Sequence, residues 1–171
     1  MFPEATTLPF DLRRLGSADA PCLQRFLETC DDYFRLISGK SVGPHEADTE
    51  LASLPPGKTL DDKFFVGLQE PDGTLAGVFD LIKDYPEPGI WYLGLLLLHP
   101  ANRSKGHGEA IHVQVSAWVR SQGGSAIRLG VVEKNTKALK FWTRLGYQEL
   151  ARKPVQMGGH MHEVRVLQKA L

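Results

Sequence analysis

The sequence predicts a mixed α/β fold, a mixed sheet with helices packed on it, and three observations carry that prediction. Strand-like and helical apolar periods interleave along the chain, and two strand-like runs meet at an Asp-Gly turn. A third apolar run breaks at Pro100, turns basic and glycine-rich, and resumes as an amphipathic helix. The coarse order is β-α-α-β-β-β-α-β-α-β-β.

Each element has its own warrant. "FDLRRLG", Phe10 to Gly16, alternates enough for a first strand. Ser17 then reads as the N-cap of a helix through "ADAPCLQRFLETCDDYFRL", with Leu23, Phe26, Leu27 and Cys30 on one face. "SGKSVGPHEADTELASLPPGK" supplies turns, a short helix near His45 to Ser53 and a Pro-Pro-Gly stop, which makes a helix–loop–helix insertion. "KFFVGLQE" and "TLAGVFDLI" flank "PDG" as a hairpin. "IWYLGLLLL" continues the sheet, and its last four leucines do not alternate, so the strand is expected to be covered on both faces. From Gly106 to about Gln122, Ile111, Val115, Trp118 and Val119 recur at helical spacing. "AIRLGVV" is a buried strand, "NTKALKFWTRLGY" a helix ending at Gly146, and "YQELARK" with "MHEVRVL" a terminal hairpin.

Length and composition bound the function. A chain of 171 residues suits one domain, 1–171, with a core that needs neither disulfides nor metal. Twenty basic and twenty acidic residues cancel, leaving no overall charge footprint for nucleic acid or an anionic membrane. "MFPEATTLPFDL" lacks a basic and a long apolar leader region, so a cytoplasmic location is expected. Cys22 and Cys30, roughly 12 Å apart along a helix, cannot pair and are expected to be free thiols. The neutral total hides a polarised chain: Ala101 to Lys153 holds ten Lys or Arg against three acids, and Glu28 to Asp62 holds eight acids against three bases.

The junction at "RSKGHG", Arg103 to Gly108, has the features of an anion site. The first N–H groups of a helix lack intrahelical partners, and the helix dipole adds about half a positive charge. Gly106 and Gly108 admit a ligand to the backbone, and Arg103 and Lys105 add formal charge. Neither a Walker A loop nor a dinucleotide fingerprint fits, since no Gly-Lys-Ser/Thr follows a glycine at the right spacing and Ile111 stands where the third glycine belongs.

The remaining pattern, R-x-x-G-x-G at Arg103 to Gly108, resembles the acetyl-CoA pyrophosphate loop of the GCN5-related N-acetyltransferases (GNAT). "NTKALKFWTRLGY", Asn135 to Tyr147, resembles that family's later signature of asparagine, alanine, an aromatic pair and Gly-Phe or Gly-Tyr. The likeness covers most of the chain in element order and its specific motifs run from Trp91 to Tyr147. It implies a GNAT-like acyl-CoA N-acyltransferase fold with a mixed, mostly antiparallel sheet. It also implies acetyl-CoA as cosubstrate and direct transfer of an acetyl group to a primary amine on a small cationic molecule or a peptide. A homodimer is possible, and neither nucleic acid nor membrane is implied as a partner.

Residue by residue, the resemblance implies that backbone groups of Leu96 and Leu98 line the pantetheine arm, where this strand splays from the next. The amides around Ser104, Lys105, Gly106, His107, Gly108 and Glu109 would hold the pyrophosphate beside Arg103, and Asn135 would flank the arm. Many relatives use a tyrosine acid where this chain has Trp142. An indole N–H is no proton source, so Trp142 is expected to be a wall of the channel. Counting back from Leu98 to the strand position of a glutamate base reaches Tyr92, a candidate proton donor or relay, with Asp80, Asp84 and Tyr85 as alternatives. His160 and His162 share a strand face without a third ligand, so no metal is expected. An acyl-CoA-binding module without catalysis is the alternative reading, and the acidic segment would border the acceptor cleft and attract cationic amines.

Overall fold

The computed structural model describes residues 8–171. Seven strands form one sheet: β1 (Asp11–Arg14), β2 (Lys63–Gln69), β3 (Leu75–Ile82), β4 (Ile90–Leu98), β5 (Ala126–Val132), β6 (Gln148–Met157) and β7 (His160–Ala170), in the spatial order β1-β2-β3-β4-β5-β7-β6. Every neighbouring pair is antiparallel except β4–β5, which the crossover through α4 (His107–Ser121) makes parallel. The remaining helices are α1 (Ala20–Thr29), α2 (Asp31–Ser38), α3 (Glu46–Ala52) and α5 (Thr136–Arg144).

Two apolar layers cover the sheet. On one face Ile111, Val115, Trp118 and Val119 of α4 and Trp142 of α5 pack with Val66, Phe79, Trp91, Ile127 and Leu129. On the other, Leu23, Phe26 and Leu27 of α1, Phe34 of α2 and Ala47 of α3 pack with Phe65, Val78, Leu95 and Leu97. Burial of these side chains at about 25 cal/mol per Å² dominates the stability of both layers.

Two local expectations change. Ser17 caps no α-helix: Ser17–Asp19 form a 3-10 turn closed by Asp19 on the Gly16 amide, and α1 starts at Ala20 with Pro21 in its first turn. The single long helix is also two, because Cys30 leaves helical geometry (φ −102°, ψ 23°) between α1 and α2. Both cysteines are free, Cys30 being buried, and the Cys30 thiol donates to the Leu98 carbonyl at 3.6 Å.

The leucine run does alternate. Leu95 and Leu97 are buried under α1–α3, while Leu96 and Leu98 are half-buried against the α4 layer. Their placement follows from a bulge: Leu81 opposes Leu93 and Asp80 opposes Leu95, so Gly94 is an extra residue in β4. Before it, Trp91 and Leu93 face the α4 layer; after it, Leu95 and Leu97 face the opposite one.

Candidate active site

β4 and β5 part company at the bulge. They pair only from Ile90↔Ala126 to Leu93↔Leu129, after which β4 continues beside β3 and β5 beside β7. A wedge-shaped gap opens between Gly94–Leu98 and Gly130–Val132. The His99 amide bonds Ala76 on β3, so the alternate peptide groups of Leu96 and Leu98 face the gap. The Leu98 carbonyl there accepts from Arg103 Nε at 2.9 Å.

The loop leading into α4 is shaped by two left-handed residues, Ser104 (φ 60°) and Gly106 (φ 82°), the second being the N-cap of α4. Gly108 stands in the first turn where a Cβ would lie 3.3 Å from the Phe141 ring and 3.9 Å from Leu98. Two residues without side chains, Gly106 and Gly108, thus flank His107 at the head of α4, beside Leu98 at the end of β4 and at a helix end that attracts anions. Lys105 is exposed beside it, and Glu109 pairs with Arg144 at 3.6 Å, tying α4 to α5. His107 is half-buried, edge-on to Phe10 with ring centroids 5.0 Å apart.

Arg103 does something other than add free positive charge. Its guanidinium is engaged by both carboxylate oxygens of Asp32 (2.5 and 3.1 Å) as well as by Leu98, so it braces the loop against α2.

Asn135 caps α5, its side-chain oxygen accepting from the Ala138 amide at 3.1 Å. That places Asn135 at the inner wall of a cavity of about 320 Å³ that occupies the gap. Leu96, Ala138 and the buried Trp142 line the same end, as the sequence leads one to expect of a channel wall. Behind Trp142, His112 Nε2 lies 3.1 Å from the Tyr147 hydroxyl and 3.3 Å from Ser116 Oγ.

Burial, and then the Lys169 charge, depress His112 from 6.5 to about 4. The unfolded chain therefore takes up a proton between pH 6.5 and 4 that the folded chain refuses, and stability falls as pH drops through that window. His112→Gln should lack this limb. Urea midpoints measured at pH 7 and 4.5 should show the wild type losing ~2 kcal/mol more than the variant.

Tyr92 reaches the other end of the cavity. Its ring packs edge-on to Tyr85 at 5.7 Å, and a Cβ at Gly130 would come within 2.9 Å of its hydroxyl, so Gly130 makes the room it occupies. Burial raises its pKa, with Tyr85 adding to the shift. Asp84 is spent on the Gly89 amide at 2.8 Å. Asp80 is not a cavity wall; it lies buried beneath Gly94, its Oδ2 2.7 Å from Lys63 Nζ, which also bonds the Ser53 carbonyl. Burial pushes the Asp80 carboxyl up while Lys63 pulls it down.

Several site residues went unmarked in the sequence. Tyr33 and Ile37 of α2, Gly94, Gly130, and Val155 and Met157 of β6 line the cavity because distant segments meet there. Glu50 is a further one: burial and the charges of Asp80 and Glu46 push its carboxyl up to about 7, against Lys63, and its charge is felt at Tyr33. Among the described residues no three His, Cys, Asp or Glu side chains converge on a metal-sized point, and no helix is long and apolar enough to cross a membrane.

Residues 25–147 match the model of the acetyltransferase (GNAT) family. The chain belongs to that family. GNAT proteins use acetyl-CoA as cosubstrate. Solved structures with the same fold include an acetyltransferase from Thermus thermophilus (23% identity, 98% of this chain and 100% of that one, TM-score 0.75). A GCN5-related N-acetyltransferase from Kribbella flavida aligns at 22% identity over 95% and 98%, TM-score 0.68. The spermidine N-acetyltransferase from Vibrio cholerae, solved with CoA and spermine, aligns at 14% over 95% of both chains, TM-score 0.72. No curated protein matches the sequence. The GNAT assignment agrees with the splayed strands, the glycine loop at the head of α4 and the mostly antiparallel sheet.

Proposed function

We propose that this GNAT protein transfers the acetyl group of acetyl-CoA directly to a primary amine in a ternary complex. One observation carries the reading: Gly106 and Gly108 open the head of α4 beside Leu98, at the end of the strand whose splayed part borders the cavity that Tyr92 also lines. The amides from Ser104 to Glu109 would take the pyrophosphate, with Lys105 adjacent. The peptide groups of Leu96 and Leu98, with Asn135 and Trp142, would line the pantetheine arm. Arg103 serves as the brace of that loop rather than as a direct ligand.

The chemistry asks for a neutral amine nitrogen to attack the thioester carbonyl, forming the C–N bond as the C–S bond breaks. The amine's proton leaves to solvent or a base, and the thiolate receives a proton. Tyr92 supplies that proton: it lines the cavity with its hydroxyl against Gly130, another lining residue, and burial raises its pKa. Asp80 is committed to Lys63, so its part is to hold the strand under Gly94. The setting is a protein without a membrane span among its described residues, and a cytoplasmic location fits it.

Calorimetric titration with acetyl-CoA, followed by assay of CoA release on a panel of amines, tests the reading. Micromolar binding with amine-dependent CoA release is the expected result. Tyr92→Phe should keep acetyl-CoA affinity within about twofold while kcat falls by about 10²-fold. Binding without turnover on any amine would favour the acyl-CoA-binding module, and no binding by a folded protein would end the proposal.

A further inference from the structure

The far half of the cavity has a chemical character of its own. Tyr33 and Ile37 of α2 face Val155 and Met157 of β6 and Val164 of β7, with Tyr92 and Gly130 between them. Among the described residues no Asp, Glu, Lys, Arg or His lines it. Three acids of the Glu28–Asp62 segment are engaged elsewhere. Asp31 holds Arg35 and the Val42 amide, Asp32 holds Arg103, and Asp62 caps its own turn at Thr59. Glu50 acts on Tyr33 but is not itself a wall.

This half is also bordered by the turn joining β6 to β7. Gly158 in that turn lies so close to the end of α2 that a Cβ there would come within 2.2 Å of the Ser38 carbonyl oxygen. The turn therefore rests on α2 beside the space that Ile37 and Met157 flank. A cavity of about 320 Å³ has to hold the acyl end of the cosubstrate as well, which leaves room for a small acceptor only.

Resting on the acetyltransferase reading above, we propose that the acceptor is a small primary amine whose substituent is apolar, an alkyl or aryl group seated between α2 and the β6–β7 turn. A second ammonium group of a polyamine would be buried there without a partner, which is strongly unfavourable. An apolar substituent gains with each methylene it buries, about three- to fourfold in affinity per CH₂. The nucleophile benefits too, since a low-dielectric pocket favours the neutral amine over the ammonium.

The test is a ladder of kcat/KM values for n-propylamine to n-hexylamine and for phenethylamine, beside spermidine and a short peptide with a free N-terminus. Acetyl-CoA affinity is measured in parallel by calorimetry. The ladder should climb by about threefold per methylene until the wall is met, with spermidine and the peptide at least about tenfold below its top. Met157→Lys and Ile37→Lys should flatten the ladder while acetyl-CoA affinity stays within about twofold of wild type, which a general loss of folding would not do. A flat ladder in the wild type, or preference for spermidine or the peptide, overturns the proposal and leaves the acetyltransferase reading standing. Absence of acetyl-CoA binding by folded protein, or binding with no amine acetylated, removes both.

Discussion

Gly108→Glu should lower acetyl-CoA affinity by at least about 10²-fold while leaving the melting temperature within a few degrees of wild type. The two halves of this expectation come from one physical feature. A carboxylate in the first turn of α4 complements the helix dipole, worth about 0.3–1 kcal/mol, and glutamate is a better helix former than glycine. These gains offset the small shift that the Phe141 ring must make, since its nearest carbon would lie 3.3 Å from the new Cβ. For the pyrophosphate the same carboxylate is an obstruction and a repulsion together. Gly108→Lys separates the two, because it obstructs without repelling and should retain more affinity than the glutamate variant. Titration of both proteins with acetyl-CoA decides the matter. If the glutamate variant binds as well as wild type, the pyrophosphate does not lie at this helix end.

Lys63→Met should destabilise the protein by about 3–5 kcal/mol, because it strands the Asp80 carboxylate inside the sheet. Asp80 is 7% exposed, and its second oxygen, Oδ1, has no protein partner, so nothing else takes up its charge when Lys63 is gone. The loss should depend on pH. With its cation removed, Asp80 titrates still higher, and Glu50 loses the Lys63 charge that lowers it. Carboxyls whose folded pKa is raised favour the folded state below that pKa and disfavour it above. The variant's deficit should therefore be smaller at pH 5 than at pH 8. Lys63→Met combined with Asp80→Leu should recover most of the stability, since an apolar pair of similar volume does without the buried charges. Urea unfolding of the three proteins at both pH values measures this; a Lys63→Met loss under about 1 kcal/mol at pH 8 would show that the pair is solvated in practice.

The turns that open α4 and α5 were legible in the sequence because their signals are local. Gly106 and Gly108, the capping Asn135 and the wall Trp142 are each set by the few residues around them, and strand, turn and helix follow one another without interruption. The far half of the cavity was not legible in that way. Tyr33, Gly130 and Met157 come together only through the order β4-β5-β7-β6, which no short window contains. The brace that Arg103 makes was hidden for a related reason: its partner Asp32 is 71 residues away. The break at Cys30 was hidden because Leu23, Phe26 and Leu27 keep helical spacing up to the point where the chain turns.

The inserted Gly94 has a bearing on how β4 tolerates change. It works as a phase shift in the strand, so that the four leucines behind it are read in the opposite frame from the four residues ahead. Leu95 and Leu97 answer to the α1–α3 layer, Leu96 and Leu98 to the cleft. Removing this one residue would leave Leu95 opposite Asp80 and each leucine on its present face, because ordinary alternation already carries Leu93 and Leu95, once adjacent, to opposite sides. What would go is the extra peptide at which β4 leaves β5, so the two strands are expected to stay paired where the gap now opens. The deletion thus spares both apolar layers and acts on the gap alone.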